Sequence, residues 1–76
     1  MFNKKRKIIV NINGMSCNHC SKKVQNALVS IDGVYKVKVD LNKNQAIIFS
    51  QQGITHDLIN KAITDIGYQV IEIAGD

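Results

Sequence analysis

Two stretches with the apolar spacing of helices limit the fold of this 76-residue chain more than any other feature. In each stretch, apolar residues recur three and four positions apart, which is the period of one helix face. The first consists of Val24, Ala27, Leu28 and Ile31, and the second of Ile59, Ala62, Ile63 and Ile66. Thr55 is a suitable N-cap for the second helix, and the glycines in Asp32-Gly33 and at Gly67 predict where the two helices end.

Short stretches with strand-like apolar spacing flank and separate these helices. They are residues 8–13, residues 35–41, the sequence QAIIFS at 45–50 and the sequence YQVIEI at 68–73. In the second, Tyr35, Val37, Val39 and Leu41 are predicted to form a buried face. The order strand, helix, strand, strand, helix, strand with short connections predicts an α+β fold. This is the ferredoxin-like βαββαβ arrangement, in which a four-stranded antiparallel sheet has two helices on one face.

Length and charge restrict the organisation of the chain and its partners. We expect a single domain over residues 1–76, with residues 1–6 as a basic tail. No apolar run approaches the roughly 20 residues of a membrane span, and Asn11 interrupts any signal-peptide core. We therefore expect a cytoplasmic protein without membrane insertion. The net charge of +4 suits an acidic partner, whether nucleic acid, an anionic membrane surface or an acidic protein, and does not choose between them.

The stretch GMSCNHC, residues 14–20, contains both cysteines of the chain, Cys17 and Cys20. We expect Cys17 in the loop after the first strand and Cys20 in the first turn of the first helix. At that position unpaired N–H groups and the helix dipole favour thiolate over thiol. A redox pair, half of a zinc site and a two-ligand metal site are the alternatives, since a reducing cytoplasm argues against a structural disulfide. Two soft sulfur ligands suit Cu(I), which accepts low coordination numbers.

The sequence resembles the heavy-metal-associated domain family, and within it the small bacterial copper chaperones of the CopZ type. The resemblance rests on GMSCNHC after a strand, on the basic helix that follows, and on IGY before the last strand. It implies that Cys17 and Cys20 bind Cu(I) and that the protein delivers the metal to a copper-transporting P-type ATPase. The alternatives are an N-terminal metal-binding domain of a metal-transporting ATPase and a carrier of another soft metal such as mercury.

Three residues close to the cysteines have separate expected roles. We interpret Met15 as packing that anchors the loop rather than as a third ligand. Ser16 stands where relatives that select Zn(II) often carry a carboxylate, so the metal-binding stretch lacks the hard oxygen ligands that divalent ions prefer. Hg(II) remains an alternative to Cu(I) on ligand chemistry. His19 is either an exposed residue of the first helical turn or a residue that tunes the site and contacts copper shared by two molecules.

The surface around the motif is expected to receive a partner. Tyr68 occupies a position where bacterial chaperones of this type have tyrosine, in a loop that the family packs against the metal site. Lys22 and Lys23 lie on the helix that carries Cys20 and are expected to contact an acidic docking face. An ordinary solvated helix face is the alternative for these lysines. An exposed site would also permit a copper-bridged homodimer.

Three other protein classes fit the sequence less well. A thioredoxin-like oxidoreductase needs a cis-proline opposite its dithiol, and this chain contains no proline. A structural zinc site needs four ligands, and His56 is far from Cys20 in the sequence. An RNA-binding module needs stacking aromatics on its central strands, where Phe49 is the only one. We therefore expect a protein that is not an enzyme and has no nucleic-acid partner.

Overall fold

A computed structural model describes residues 6–15 and 18–75 of the chain. Within these ranges four strands and two helices follow the predicted order. They are β1 (Arg6–Asn13), α1 (Asn18–Val29), β2 (Val34–Asp40), β3 (Gln45–Ser50), α2 (His56–Asp65) and β4 (Gln69–Gly75). The predicted basic tail is outside the described residues except for Arg6, which begins β1. Neither of the two helices is long and apolar enough to cross a membrane.

The strands form one antiparallel sheet in the order β2-β3-β1-β4. Alternate residues of β1 (Ile8, Val10 and Ile12) are fully buried. Leu28 of α1 and Ile63 of α2 belong to the same core cluster as these three residues. Both helices therefore cover one face of the sheet, and the predicted ferredoxin-like βαββαβ fold is confirmed.

The second helix has the cap and the apolar stripe that its sequence predicts. The side chain of Thr55 accepts a hydrogen bond from the Leu58 N–H at 3.3 Å. Ile59 and Ile63 are fully buried. Gly67 follows the helix with a φ of 93°, in the left-handed region that glycine adopts without steric cost. The predicted start, buried face and end of this helix are therefore confirmed.

The first helix is shorter than its apolar spacing predicts. It ends at Val29 rather than at Asp32-Gly33. After this end, the Ile31 N–H donates to the Leu28 carbonyl at 3.2 Å, and the Val34 N–H donates to the Ile31 carbonyl at 3.1 Å. These tighter turns keep Ile31 partly buried against the core although the α-helix has ended.

The prediction that Tyr35 lies on the buried face of β2 is wrong. The register between β2 and β3 shifts between Val34 and Lys36, so Tyr35 is the extra residue of a β-bulge. Its side chain is 44% exposed, and its ring centroid lies 6.4 Å from that of Phe49. Val37, which follows the bulge, is buried as predicted.

Candidate metal site

The predicted metal loop connects β1 to α1. Asn13 ends β1, and Cys20 is the third residue of α1. Ser16 and Cys17 lie outside the described residues, so Cys20 is the predicted ligand whose placement the structure gives. Its side chain is partly buried and packs against the hydrophobic core. The helix therefore holds the Cys20 thiol at the boundary between core and solvent.

The first turn of α1 provides an environment that favours a thiolate. The first N–H groups of an α-helix have no partner within the helix, and the helix dipole adds partial positive charge at this end. The turn contains no acidic residue that would oppose this effect. Cys20 therefore lies at the end of the helix whose dipole favours the thiolate, the form of cysteine that binds metal.

Gly14 begins the loop in a conformation that other residues rarely adopt. Its φ is 109°, and a Cβ atom at this position would lie 2.9 Å from Cδ1 of Tyr68. Tyr68 is partly buried against the core, and its N–H donates to the Ile63 carbonyl at 3.1 Å. The ring of Tyr68 thus packs directly on the backbone of the loop. This contact joins the loop to the end of α2.

Met15, the residue after Gly14, is buried in the core. It is 6% exposed and belongs to the core cluster. A thioether on a flexible chain fills irregular space among apolar side chains. The packing role expected for Met15 requires this buried position.

The turn between β2 and β3 supports the end of β1. The Ile12 N–H donates to the Asn44 carbonyl at 2.8 Å. Oδ1 of Asp40 accepts hydrogen bonds from the Asn42 N–H at 3.0 Å and the Lys43 N–H at 3.3 Å, which closes the turn. The last residues of β1 are therefore fixed immediately before the loop begins.

Three predicted site residues lie exposed on α1. His19 precedes Cys20 on the helix surface, and Lys22 and Lys23 follow it. This position of His19 fits either of its two expected roles. The structure brings His19, Cys20 and both lysines together on the first turns of one helix, close to the loop in sequence.

The described residues offer no alternative centre for a metal ion. Across residues 6–15 and 18–75, no three side chains of His, Cys, Asp or Glu gather into a group that could hold one. His56, which a zinc-finger interpretation would need, is exposed at the start of α2. The sulfur donors of the motif suit a soft ion such as Cu(I).

Sequence reasoning did not identify two contacts that support the loop, although the family resemblance implies that the loop of Tyr68 packs against the site. One is the steric contact between Gly14 and Tyr68, and the other is the hydrogen bond between Ile12 and Asn44. Gly14, directly after a predicted strand, could have indicated the first contact, because a glycine there often marks a close approach of the backbone to another group. No local pattern in the sequence predicts which side chain approaches Gly14.

Comparison with known proteins finds relatives named as copper chaperones and as a copper-transporting ATPase. Residues 9–69 match the heavy-metal-associated domain. The copper chaperone CopZ of Staphylococcus haemolyticus (strain JCSC1435) is 38% identical over 63 residues, which cover 82% of this chain and 93% of that protein. The copper chaperone CopZ of Enterococcus hirae is 42% identical over 59 residues, covering 76% of this chain and 86% of that protein.

A solved structure shows the same architecture. The crystal structure of a copper-binding domain from HMA7, a P-type ATPase, matches with a TM-score of 0.81 and 37% sequence identity. The match covers 93% of this chain and 97% of that domain. Both cysteines and both helices fall within the residues that match the family. The chain belongs to the heavy-metal-associated domain family.

Proposed function

We propose that this protein is a copper chaperone that binds Cu(I) through Cys17 and Cys20 and delivers it to a copper-transporting P-type ATPase. The observation that carries the proposal is the position of Cys20 in the first turn of α1, after a loop on which Tyr68 packs. The role of Cys17 rests on the motif. Relatives named as copper chaperones, matched over 86% and 93% of their length, support the same function.

The residues around the ligands have distinct roles in this proposal. Tyr68 and Met15 hold the loop, because one packs on Gly14 and the other lies in the core. Ser16 leaves the position next to Cys17 without a carboxylate, which disfavours divalent ions. His19 adjusts the site from the exposed side of the helix.

Delivery requires that thiolates of a second protein reach the bound copper. An acceptor sulfur binds the metal as one donor sulfur leaves, through a three-sulfur intermediate in which the oxidation state of copper is unchanged. Lys22 and Lys23 form the rim on which an acidic acceptor docks. The same exposed site permits copper to bridge two copies of the chain. We place the protein in the cytoplasm, where cysteines stay reduced.

An anaerobic competition titration tests the metal and its ligands. The reduced protein is offered Cu(I), Zn(II) or Hg(II) against a chelator of known affinity. We expect Cys17→Ser and Cys20→Ser each to weaken Cu(I) binding by more than roughly 100-fold, which exceeds the effect of changing an outer-shell residue. Ser21→Ala alters a neighbouring side chain of the same turn and should leave binding unchanged.

The other arms of the titration separate the alternatives. Zinc retained more strongly than Cu(I) would contradict the assignment of copper. Hg(II) retained by a protein that releases Cu(I) to the same chelator would favour the mercury carrier.

A metal-binding domain of a transporting ATPase is the second candidate, and the match to the HMA7 domain favours it. The two candidates differ in the size of the native protein. An antibody raised against this chain should detect a protein of 8.5 kDa in a cell extract if the chaperone proposal is correct. A band of the size of a membrane transporter would establish the second candidate instead.

A further inference from the structure

The sheet face turned away from the helices carries lysines and aromatic rings that the proposed metal site does not use. In β1 and β3 the buried residues alternate with residues on this open face. The strand register places Lys7 of β1 beside Phe49 of β3, and Phe49 beside Lys36 of β2. Lys38 stands in the adjacent row, and Tyr35 contacts Phe49 from the bulge. We call Lys7, Tyr35, Lys36, Lys38 and Phe49 the basic sheet patch.

The patch has a single sign of charge among the described residues. Lys7, Lys36 and Lys38 are exposed, and no described residue in their two rows carries a carboxylate. The described acids of the open face, Asp40 on β2 and Glu72 on β4, lie at opposite edges of the sheet in one row that is nearer the metal loop than the patch is. The open face is therefore basic at one end and acidic at the other.

The aromatic rings indicate which kind of acidic partner fits the patch. The Nζ atom of Lys36 lies over the Phe49 ring, 6.0 Å from its centroid, and Tyr35 packs against the same ring. A nucleic-acid-binding sheet stacks bases on its rings, but here the ring on the central strand is already covered. Tyr35 presents a half-exposed aromatic ring with a polar hydroxyl, the type of side chain enriched at the surface of lipid bilayers.

The position of the patch leaves the metal loop accessible. Lys7 is near the start of β1, whereas the loop follows Asn13 at its end. At about 3.3 Å per residue, these two positions are separated by roughly 20 Å. A surface that contacts the patch therefore does not cover Cys20.

We infer that the basic sheet patch binds anionic phospholipid headgroups reversibly, without insertion into the bilayer. Three lysines on β1 and β2, on either side of β3, suit a planar negative surface better than a narrow acidic groove. A contact through this patch alone gives weak binding, because stable membrane anchoring requires two attachments, such as an acyl chain together with a basic patch. Under the proposed function, this contact would concentrate the protein near a membrane-bound acceptor. The lipid binding itself does not depend on copper.

Vesicle sedimentation tests the inference with metal-free protein. We expect binding to vesicles of phosphatidylglycerol and phosphatidylcholine in equal parts, no binding to phosphatidylcholine alone, and release at high salt. The double variant K36Q/K38Q should bind on the order of 25-fold more weakly, because each lysine near an anionic surface contributes about fivefold. The double variant K43Q/K61Q removes the same charge from the β2–β3 turn and from α2, and should bind like the parent. Circular dichroism verifies that both variants are folded.

Three results would overturn the inference. The first is failure of the parent protein to bind the anionic vesicles at low salt. The second is an equal loss of binding in both double variants, which would assign the effect to net charge. The third is tighter binding of single-stranded DNA than of anionic vesicles at the same ionic strength, which would assign the patch to nucleic acid.

Discussion

Gly14 shows how a single residue position can be fixed by two independent requirements. Its φ of 109° belongs to the region that disfavours side chains, and the ring of Tyr68 occupies the space where a Cβ atom would stand. Either requirement alone would favour glycine. Together they tie the conformation of the metal loop to the packing of a residue that lies far away in the sequence.

Gly14→Ala should lower the free energy of unfolding by about 1–3 kcal/mol, the cost of a strained backbone position. Urea denaturation measures this effect. In the Tyr68→Ala background the steric part disappears, so the same substitution should cost less. Gly53→Ala is the matched control, because Gly53 has no positive φ and a Cβ there would be 3.8 Å from the nearest atom. An equal cost of Gly14→Ala in both backgrounds would contradict the steric role of Tyr68.

The sequence predicted the position of Cys20 better than the contacts that support the loop. The spacing of Cys17 and Cys20 leaves a redox pair, half of a zinc site and a two-ligand metal site open, and the whole motif together with the family resemblance favours a soft metal. The contact between Gly14 and Tyr68 depends on where the end of α2 meets the end of β1. That meeting is determined by packing of the whole core, so no local pattern contains it.

At the scale of elements, α2 is specified almost entirely by its own sequence. Its cap, its buried stripe and its terminal glycine are local features, and all three lie where the sequence predicts. The first turn depends on the hydrogen bond from the Leu58 N–H to the Thr55 side chain.

Thr55→Ala should reduce the free energy of unfolding by about 1 kcal/mol, because the substitution removes the N-cap acceptor. Thermal denaturation followed by circular dichroism measures the change. Thr64→Ala, at an exposed position inside the same helix, should have little effect or be slightly stabilising. Equal stability of the parent and the Thr55 variant would show that water replaces the cap.

The first helix carries both the proposed ligand Cys20 and the proposed docking surface. Lys22→Glu combined with Lys23→Glu should slow copper transfer to an acidic acceptor domain and reduce the dependence of the rate on salt, since attraction between opposite charges speeds encounter. Stopped-flow measurements at low and high ionic strength test this. Lys43→Glu combined with Lys61→Glu makes the same change in net charge elsewhere and should slow transfer less. Unaltered transfer by the first double variant at low salt would exclude docking through these lysines.

The elements that sequence reasoning misplaced are those decided by contacts between segments. The N–H of Gln51 donates to the Gly33 carbonyl at 2.9 Å, which ties the start of β2 to the end of β3. The bulge that exposes Tyr35 and the early end of α1 at Val29 both lie next to this connection. Apolar alternation describes one strand at a time and does not contain the register between two strands.

At the scale of the whole molecule, the buried core of residues 6–15 and 18–75 contains no cysteine. The buried cluster combines residues of both helices and of strands β1, β2 and β3, and Cys20 only packs against its margin. The family also confirms the prediction that the chain is not an enzyme, because the matched relatives are named as chaperones. We therefore expect the fold to form before any metal binds.

Removal of metal should leave the far-UV circular dichroism of the protein largely unchanged. The physical reason is that burial of each large apolar side chain contributes about 1.5–3 kcal/mol whether or not the thiolates bind an ion. Leu28→Ala serves as the comparison and should cost about 2–5 kcal/mol by leaving a cavity in the core. A metal-free protein that is largely disordered, as a zinc finger would be, would refute this expectation.

The order of the strands in the sheet affects when, during synthesis of the chain, the metal loop gains its packing. β1 lies between β3 and β4, and both of these partners follow it in the sequence. Because ribosomes build a chain from its N-terminus, Cys20 is made well before Tyr68 and β4. During that interval the motif is a pair of cysteines in a chain that has neither the packing on Gly14 nor the second helix. Under the proposed function, a nascent chain that met copper during translation would therefore bind it without the geometry of the finished loop.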